Sequence, residues 1–239
     1  MRARPYVVSG RSAVAATRLT WDEYASRWAT LHGGFDPRQA TPLVQGWLRL
    51  AYGVGLALSR LRVPPSAVTL VGVLLCLLVP VTATGSASGP FTAAVFVLLA
   101  AIADSVDGAI AVAADRSSRL GYVYDSLADR VGEAAWLLAF WLVGAPGVVV
   151  ATAGGLSWLH EYLRARAVSA GMREIGAVTV GERPTRVAIA AVGLVLAGLA
   201  GLIQRDFAPG VITVAAAVWV LVAAFGLAQL LTAVRRALR

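Results

Sequence analysis

The stretch Asp104-Ser-Val-Asp107-Gly108-Ala-Ile-Ala111-Val112-Ala-Ala-Asp115-Arg116-Ser-Ser118-Arg119-Leu-Gly121-Tyr-Val-Tyr-Asp125-Ser-Leu-Ala-Asp129 decides how this chain folds. Asp104 and Asp107 are three apart, and Asp125 and Asp129 four apart, so each pair shares one face of a helix. Apolar runs flank the stretch on both sides. An ionised side chain at membrane depth costs about 2.5–3.5 kcal/mol on insertion scales, so acids are rarely placed there without a task. The connection 115–121 is short enough to make the two helices antiparallel neighbours, which brings the four carboxylates together just below one membrane surface. Like charges that close repel unless cations sit between them. The stretch therefore reads as a divalent-metal site carried on two membrane helices.

The rest of the chain agrees with that membrane setting. Of 239 residues 58% are hydrophobic, and the mean hydropathy is +0.73. Runs able to cross a ~30 Å hydrocarbon core recur at about 66–84, 91–113, 121–143, 147–163, 185–203 and 209–232. The fold expected is an all-α integral membrane protein with six transmembrane helices, because so many spans satisfy their backbone polar groups only as helices. Residues 43–60, with Trp47, Leu50, Tyr52 and Leu56 between Arg49 and Arg60, read as an N-terminal amphipathic helix lying in the interface. Residues 1–40 form a cytoplasmic N-terminal extension and 41–239 the membrane domain. Within the extension, Thr20-Trp-Asp-Glu23 has capping-box spacing and starts a short helix carrying Trp21, Tyr24 and Trp28. Those aromatics belong either to the membrane interface or to a loosely packed surface helix. The extension lacks the apolar core of a cleavable signal peptide.

All 21 cationic side chains are arginine, and they give a net charge of +8. They gather before the first span, at Arg116 and Arg119, between Arg164 and Arg186, and at the C-terminal end, while the intervening turns are nearly neutral. That alternation puts both termini in the cytoplasm and requires an even number of spans. It also accounts for the basic charge without nucleic acid. Cys76 is a lone mid-span packing residue, and His32 and His160 are too far apart for a His-rich site. Gly193, Ala197 and Gly201 make a small-residue ridge that permits close packing, inside one chain or across a dimer.

Oxygen ligands alone select Mg²⁺, Mn²⁺ or Ca²⁺ over zinc. Two such ions would bind a pyrophosphate and offset charge on a transferred phosphoryl group. Gly108 and Gly121 leave room for a ligand to approach the helix backbone. The plainer alternative has the acids paired internally with Arg116, Arg119 or Arg130. Another is a cation transporter, although that predicts acids distributed to mid-bilayer rather than at one end.

The pattern Asp104-x2-Asp107-Gly108-x2-Ala111-Val112-x8-Gly121-x3-Asp125-x3-Asp129 resembles the signature of the CDP-alcohol phosphotransferases, D-x2-D-G-x2-A-R-x8-G-x3-D-x3-D, with every spacing matched. The resemblance extends over residues 43–239. It implies that Asp104, Asp107 and Asp125 hold two Mg²⁺ or Mn²⁺ ions. Asp129 would touch the second metal and act as the base that deprotonates an acceptor hydroxyl. That hydroxyl attacks the β-phosphate of a CDP-linked lipid and expels CMP. Gly108, Ser118 and Gly121 would lie along the donor nucleotide. Ser66 and Thr69, in Pro65-Ser-Ala-Val-Thr69, resemble the family's Pro-Asn-x-x-Thr element. One position departs: Val112 stands where the family has an arginine for the donor's phosphates, leaving Arg116 or Arg119 to reach them, or else implying a catalytically silent member.

Tyr162-x-Arg164-Ala-Arg166-Ala and Gly181-Glu-Arg183-x2-Arg186 are similar to stretches of actinobacterial phosphatidylinositol-phosphate synthases. That similarity implies an acceptor-phosphate pocket made by Arg164, Arg183 and Arg186, although positive-inside charge alone explains some of these arginines. The expected activity is transfer of a phosphatidyl group from a CDP-linked lipid to a small polar alcohol, with inositol phosphate favoured and glycerol 3-phosphate the alternative. The protein is expected in a bacterial plasma membrane, as a homodimer among membrane lipids.

Overall fold

The computed structural model describes residues 19–31, 35–84, 86, 88–114, 118–172 and 179–239. Among them there is no strand. The helices are α1 (Trp21–Leu31), α2 (Pro42–Arg60), α3 (Pro65–Ala83), α4 (Gly89–Ala113), α5 (Arg119–Val143), α6 (Gly147–Ser169), α7 (Arg183–Ile203) and α8 (Phe207–Ala237), with one 3-10 turn at Pro37–Gln39. The six expected apolar runs coincide with α3 to α8. Four of these, α3, α4, α7 and α8, are long and apolar enough to cross a membrane. The chain is a multi-pass membrane protein. Missing from the four are α5, with Asp125, Asp129, Arg130 and Glu133, and α6, with His160, Glu161, Arg164 and Arg166.

The described residues form two compact units. One comprises those up to Pro65 together with those in Val106–Ser118; the other, those in Ser66–Ser105 and Arg119–Arg239.

In the first unit the capping box forms as the spacing predicts. The Thr20 backbone N–H donates to Glu23 Oε2 at 2.8 Å, and the Glu23 N–H donates back to Thr20 Oγ1 at 3.3 Å. The aromatics of α1 pack on one another and on α2, so the reading of a loosely packed surface helix does not hold. Trp21 stacks on Tyr24 at 5.7 Å, both rings meet Tyr52 of α2, and Tyr24 is fully buried. The Tyr52 hydroxyl donates to the Leu19 carbonyl, and the Arg49 guanidinium lies 5.3 Å from the centre of the Trp21 ring. Leu48, Ala51 and Gly55 make the buried stripe of α2, while Leu43, Leu50 and Val54 on its other faces are exposed. Gly55 is required by closeness: a Cβ there would come within 2.8 Å of the Ala109 Cβ on the end of α4.

The second unit is held by small residues and a few large rings. Helices in lipid gain little from hydrophobic burial against one another, so close van der Waals contact has to supply the association. Cys76 packs its sulfur against Gly132, where a Cβ would come within 2.9 Å, as expected for a packing residue. Phe140 and Trp219 meet edge to face at 6.0 Å, and the Trp219 indole N–H donates to Ser157 Oγ at 2.9 Å. The ridge on α7 is used inside the chain: a Cβ on Gly193 would meet Ala215 at 2.7 Å, Ala197 is fully buried, and Gly201 faces Ala208. Gly144, at φ +125°, ends α5 in a conformation that favours glycine.

Candidate active site

Asp104 and Asp107 stand one turn apart on α4, which runs without interruption from Gly89 to Ala113. Each of Asp104, Asp107 and Asp125 offers a carboxylate oxygen within 4.8 Å of the others. Asp107 is buried, and the other two are partly accessible. Three hard oxygen donors this close, without His or Cys, fit a divalent ion of the Mg²⁺ or Mn²⁺ kind. Gly121 lies one turn before Asp125 in the first turn of α5, and Ser118 immediately precedes that helix. Ser66 and Thr69 occupy the first turns of α3. A Cβ on Gly108 would meet the Trp28 ring at 3.9 Å, an ordinary van der Waals contact.

Asp129 has different company. It pairs with Arg183 at the start of α7, and Arg183 Nη1 also lies 3.3 Å from Asp104 Oδ1. On its other side Arg130 Nη2 is 3.8 Å away. An arginine thus meets the cluster from α7, more than 50 residues along; Arg116, of the adjacent connection, lies outside the described residues.

The three arginines expected at an acceptor phosphate separate. Arg164 pairs with Glu182, whose Oε1 also accepts from the Thr179 N–H and hydroxyl, both at 3.0 Å. Thr179, Val180 and Gly181 are laid against α8: the Val180 N–H donates to Gln229 at 3.0 Å, and a Cβ on Gly226 would come within 2.7 Å of the Gly181 nitrogen. Arg183 is at Asp129. Arg186 is only 1% exposed, with Nη1 2.8 Å from Glu133 and Nη2 3.0 Å from Glu161. Nη1 and Nη2 thus each serve a carboxylate, one on α5 and one on α6.

Glu133, Glu161 and Thr179 are polar groups that sequence reasoning did not single out, and it gave His160 and Glu182 no role. One signal existed: Glu133 follows Asp129 by four, continuing the Asp125–Asp129 spacing along one face of α5. Nothing local marks the others, whose partners are distant in the chain.

An all-helical membrane bundle with an oxygen-only metal cluster defines a small class, and similarity to known proteins places the chain within it. Residues 62–232 match the CDP-alcohol phosphatidyltransferase family, and the chain belongs to that family. It is accordingly a transferase of substituted phosphate groups, in a family that uses Mg²⁺ or Mn²⁺. It is 34% identical over 186 residues to the phosphatidylinositol phosphate synthase of Mycolicibacterium smegmatis, covering 74% of this chain and 79% of the relative. It is 32% identical over 144 residues to the archaetidylinositol phosphate synthase of Aeropyrum pernix, covering 56% and 70%. The crystal structure of Mycobacterium tuberculosis phosphatidylinositol phosphate synthase with CDP-DAG bound superposes with a TM-score of 0.62 at 23% identity, over 78% of this chain and 94% of that one. A second structure of that enzyme, in complex with manganese and citrate, gives a TM-score of 0.62 at 22% identity, over 77% and 88%.

Proposed function

We propose that this protein transfers a phosphatidyl group from a CDP-linked lipid such as CDP-diacylglycerol to the hydroxyl of a phosphorylated alcohol, inositol phosphate first among them, with release of CMP. The observation that carries the reading is the convergence of Asp104, Asp107 and Asp125 within 4.8 Å, beside an Asp129–Arg183 pair, in a chain 34% identical to a phosphatidylinositol phosphate synthase. Asp104, Asp107, Asp125 and Asp129 would hold two Mg²⁺ or Mn²⁺ ions, which when bound offset charge on the donor's pyrophosphate. Ser66, Thr69, Gly108, Ser118 and Gly121 would line the donor nucleotide.

The acceptor side follows from Arg183. A dianionic phosphate is a stronger partner for a guanidinium than one carboxylate, since it accepts two parallel hydrogen bonds and carries more charge. An acceptor phosphate taken up by Arg183 and Arg164 would exchange for Asp129 and Glu182. The freed Asp129 carboxylate then removes the proton from the acceptor hydroxyl. That oxygen bonds to the β-phosphorus, the bond from phosphorus to the CMP oxygen breaks, and CMP leaves with the electron pair. Val112 is buried, an apolar packing position, so the donor's phosphates would take a cation from elsewhere; Arg119, at the head of α5, is the described candidate.

Six spans, α3 to α8, are proposed, with α2 in the interface plane. The support for α2 is its exposed Leu43, Leu50 and Val54 opposite a buried stripe. Both termini are proposed to be cytoplasmic from the arginine distribution. The membrane domain would cover 41–239, preceded by the 1–40 extension. A homodimer, if formed, would not use the α7 ridge, which is filled within the chain.

The test is CMP release by purified protein in detergent with CDP-diacylglycerol, Mn²⁺ or Mg²⁺, and inositol 1-phosphate, glycerol 3-phosphate, serine or inositol in turn. Release with inositol 1-phosphate, lost in Asp129→Asn, is the expected result. Preference for glycerol 3-phosphate would reassign the acceptor, and no release with any would point to a member silenced at Val112.

A further inference from the structure

Helix α5 presents Asp129 and Glu133 one turn apart, and α7 presents Arg183 and Arg186 one turn apart. The four side chains form two rungs, Arg183 on Asp129 and Arg186 on Glu133. The second rung is closed into a ring. Arg186 Nη2 reaches Glu161 of α6 at 3.0 Å, Arg130 Nη1 reaches the same carboxylate at 3.7 Å, and Arg130 Nη2 returns to Glu133 at 3.0 Å. Two guanidinium groups and two carboxylates thus balance in charge, with Glu133 0% and Arg186 1% exposed. The ring touches the candidate active site where Arg130 Nη2 stands 3.8 Å from Asp129. It continues the other way from Arg186 to His160 Nδ1 at 3.5 Å, from His160 Nε2 to Thr179 at 2.9 Å, and through Glu182 to Arg164.

We propose that Arg186 and Glu133 are positioning residues for the transfer step. Their rung pins the register of α7 on α5, and so sets Arg183 and Arg130 against Asp129. The proposal rests on the reading of Asp129 as base and Arg183 as acceptor contact. A planar guanidinium that serves carboxylates on two different helices tolerates little sliding or rotation of either. In a desolvated site these charge-assisted contacts are directional as well as strong. A small shift of α7 moves Arg183 while leaving every residue of the acceptor pocket present, which separates positioning from binding. Arg186 is 1% exposed and commits Nη1 and Nη2 to Glu133 and Glu161.

The test uses the full chain in detergent with Mn²⁺, CDP-diacylglycerol and varied inositol 1-phosphate. Arg186→Met alone leaves Glu133 short of a cation and can cost the fold, so the neutral pair Arg186→Met/Glu133→Gln is compared with Arg186→Lys and with Arg164→Gln. The double variant is expected to lose about 10–100-fold in kcat, with acceptor KM changed less than about 3-fold. Arg186→Lys, which keeps the charge without the fork, recovers part of that loss. Arg164→Gln should raise acceptor KM instead. Mn²⁺ affinity, read by electron paramagnetic resonance without either substrate, should fall about 10-fold in the double variant, as for other residues that support ligating groups. A folded double variant with unchanged kcat and unchanged Mn²⁺ affinity overturns the proposal. So does a large rise in acceptor KM with kcat retained at saturation, since Arg186 would then meet the acceptor. Wild-type protein that binds Mn²⁺ but transfers to none of the alcohols refutes the acceptor reading and leaves the frame to be judged on Mn²⁺ affinity.

Discussion

The acids of this bundle fall into two groups that differ in their cations. Asp104, Asp107 and Asp125 bring three carboxylates within 4.8 Å, and Arg183 Nη1 lies 3.3 Å from Asp104. Glu133 and Glu161 instead alternate with Arg130 and Arg186 at 2.8–3.7 Å, charge for charge. Burying a charge is tolerated when a partner and hydrogen bonds compensate it. The second group is self-sufficient and holds helices together. The first concentrates three carboxylate oxygens at one point, which is what a site that recruits divalent ions offers.

Removing the acid read as the base and removing a cation of the ring should differ in kind. The largest effect expected is on turnover: Asp129→Asn should lower kcat by about 10²–10⁴-fold, the usual contribution of a positioned base. Its melting temperature in metal-free detergent, measured beside the activity, should fall less than that of Arg186→Met. An equal loss of stability and activity would move Asp129 into the self-sufficient group. The converse substitution is Arg186→Met, which should cost about 3–5 kcal/mol of stability, as when one partner of a buried pair is deleted. Adding Glu133→Gln should restore most of it, read as recovery of the detergent melting temperature. Failure to restore would mean that the ring does not act as a balanced unit.

Smaller effects probe the frame around both groups. Gly193→Ala forces a Cβ to within 2.7 Å of Ala215 and 3.2 Å of Phe140, an overpacking expected to cost about 1–3 kcal/mol. Because that ridge is filled inside the chain, the melting temperature should drop with no change in mass by light scattering. A change of mass would instead place the ridge between copies. The smallest effect expected is at α1. The Glu23 carboxyl is held below its ordinary range, first by the Thr20 backbone hydrogen bond and then by the Thr20 hydroxyl. A folded pKa below the unfolded one stabilises above the unfolded value and is lost as pH falls through the folded one. Trp21 and Trp28 fluorescence should therefore respond as pH falls below the ordinary glutamate pKa of about 4.3 in wild type, but not in Glu23→Gln.

Legibility in the sequence followed the range of the interaction. The six apolar runs and the Asp104–Asp107 and Asp125–Asp129 spacings could be read directly, because hydrophobic run length and helical period are local properties. The capping box at Thr20 and Glu23 was legible for the same reason. The aromatics of α1 were not: whether Tyr24 faces lipid, water or Tyr52 depends on where α2 returns. The arginines of the 164–186 region were the hardest, since one rule of topology explains their presence together and says nothing about their individual partners. By itself, the sequence determined an α-helical membrane chain with an oxygen-only metal cluster, since periodicity and residue chemistry suffice for that. Only the tertiary structure decided that Arg183 meets Asp129, that Arg186 turns away to Glu133 and Glu161, and that the α7 ridge packs inward. Each of those pairings joins helices far apart in the chain, and three residues of rotation on α7 separate a guanidinium at the candidate active site from one buried beyond it.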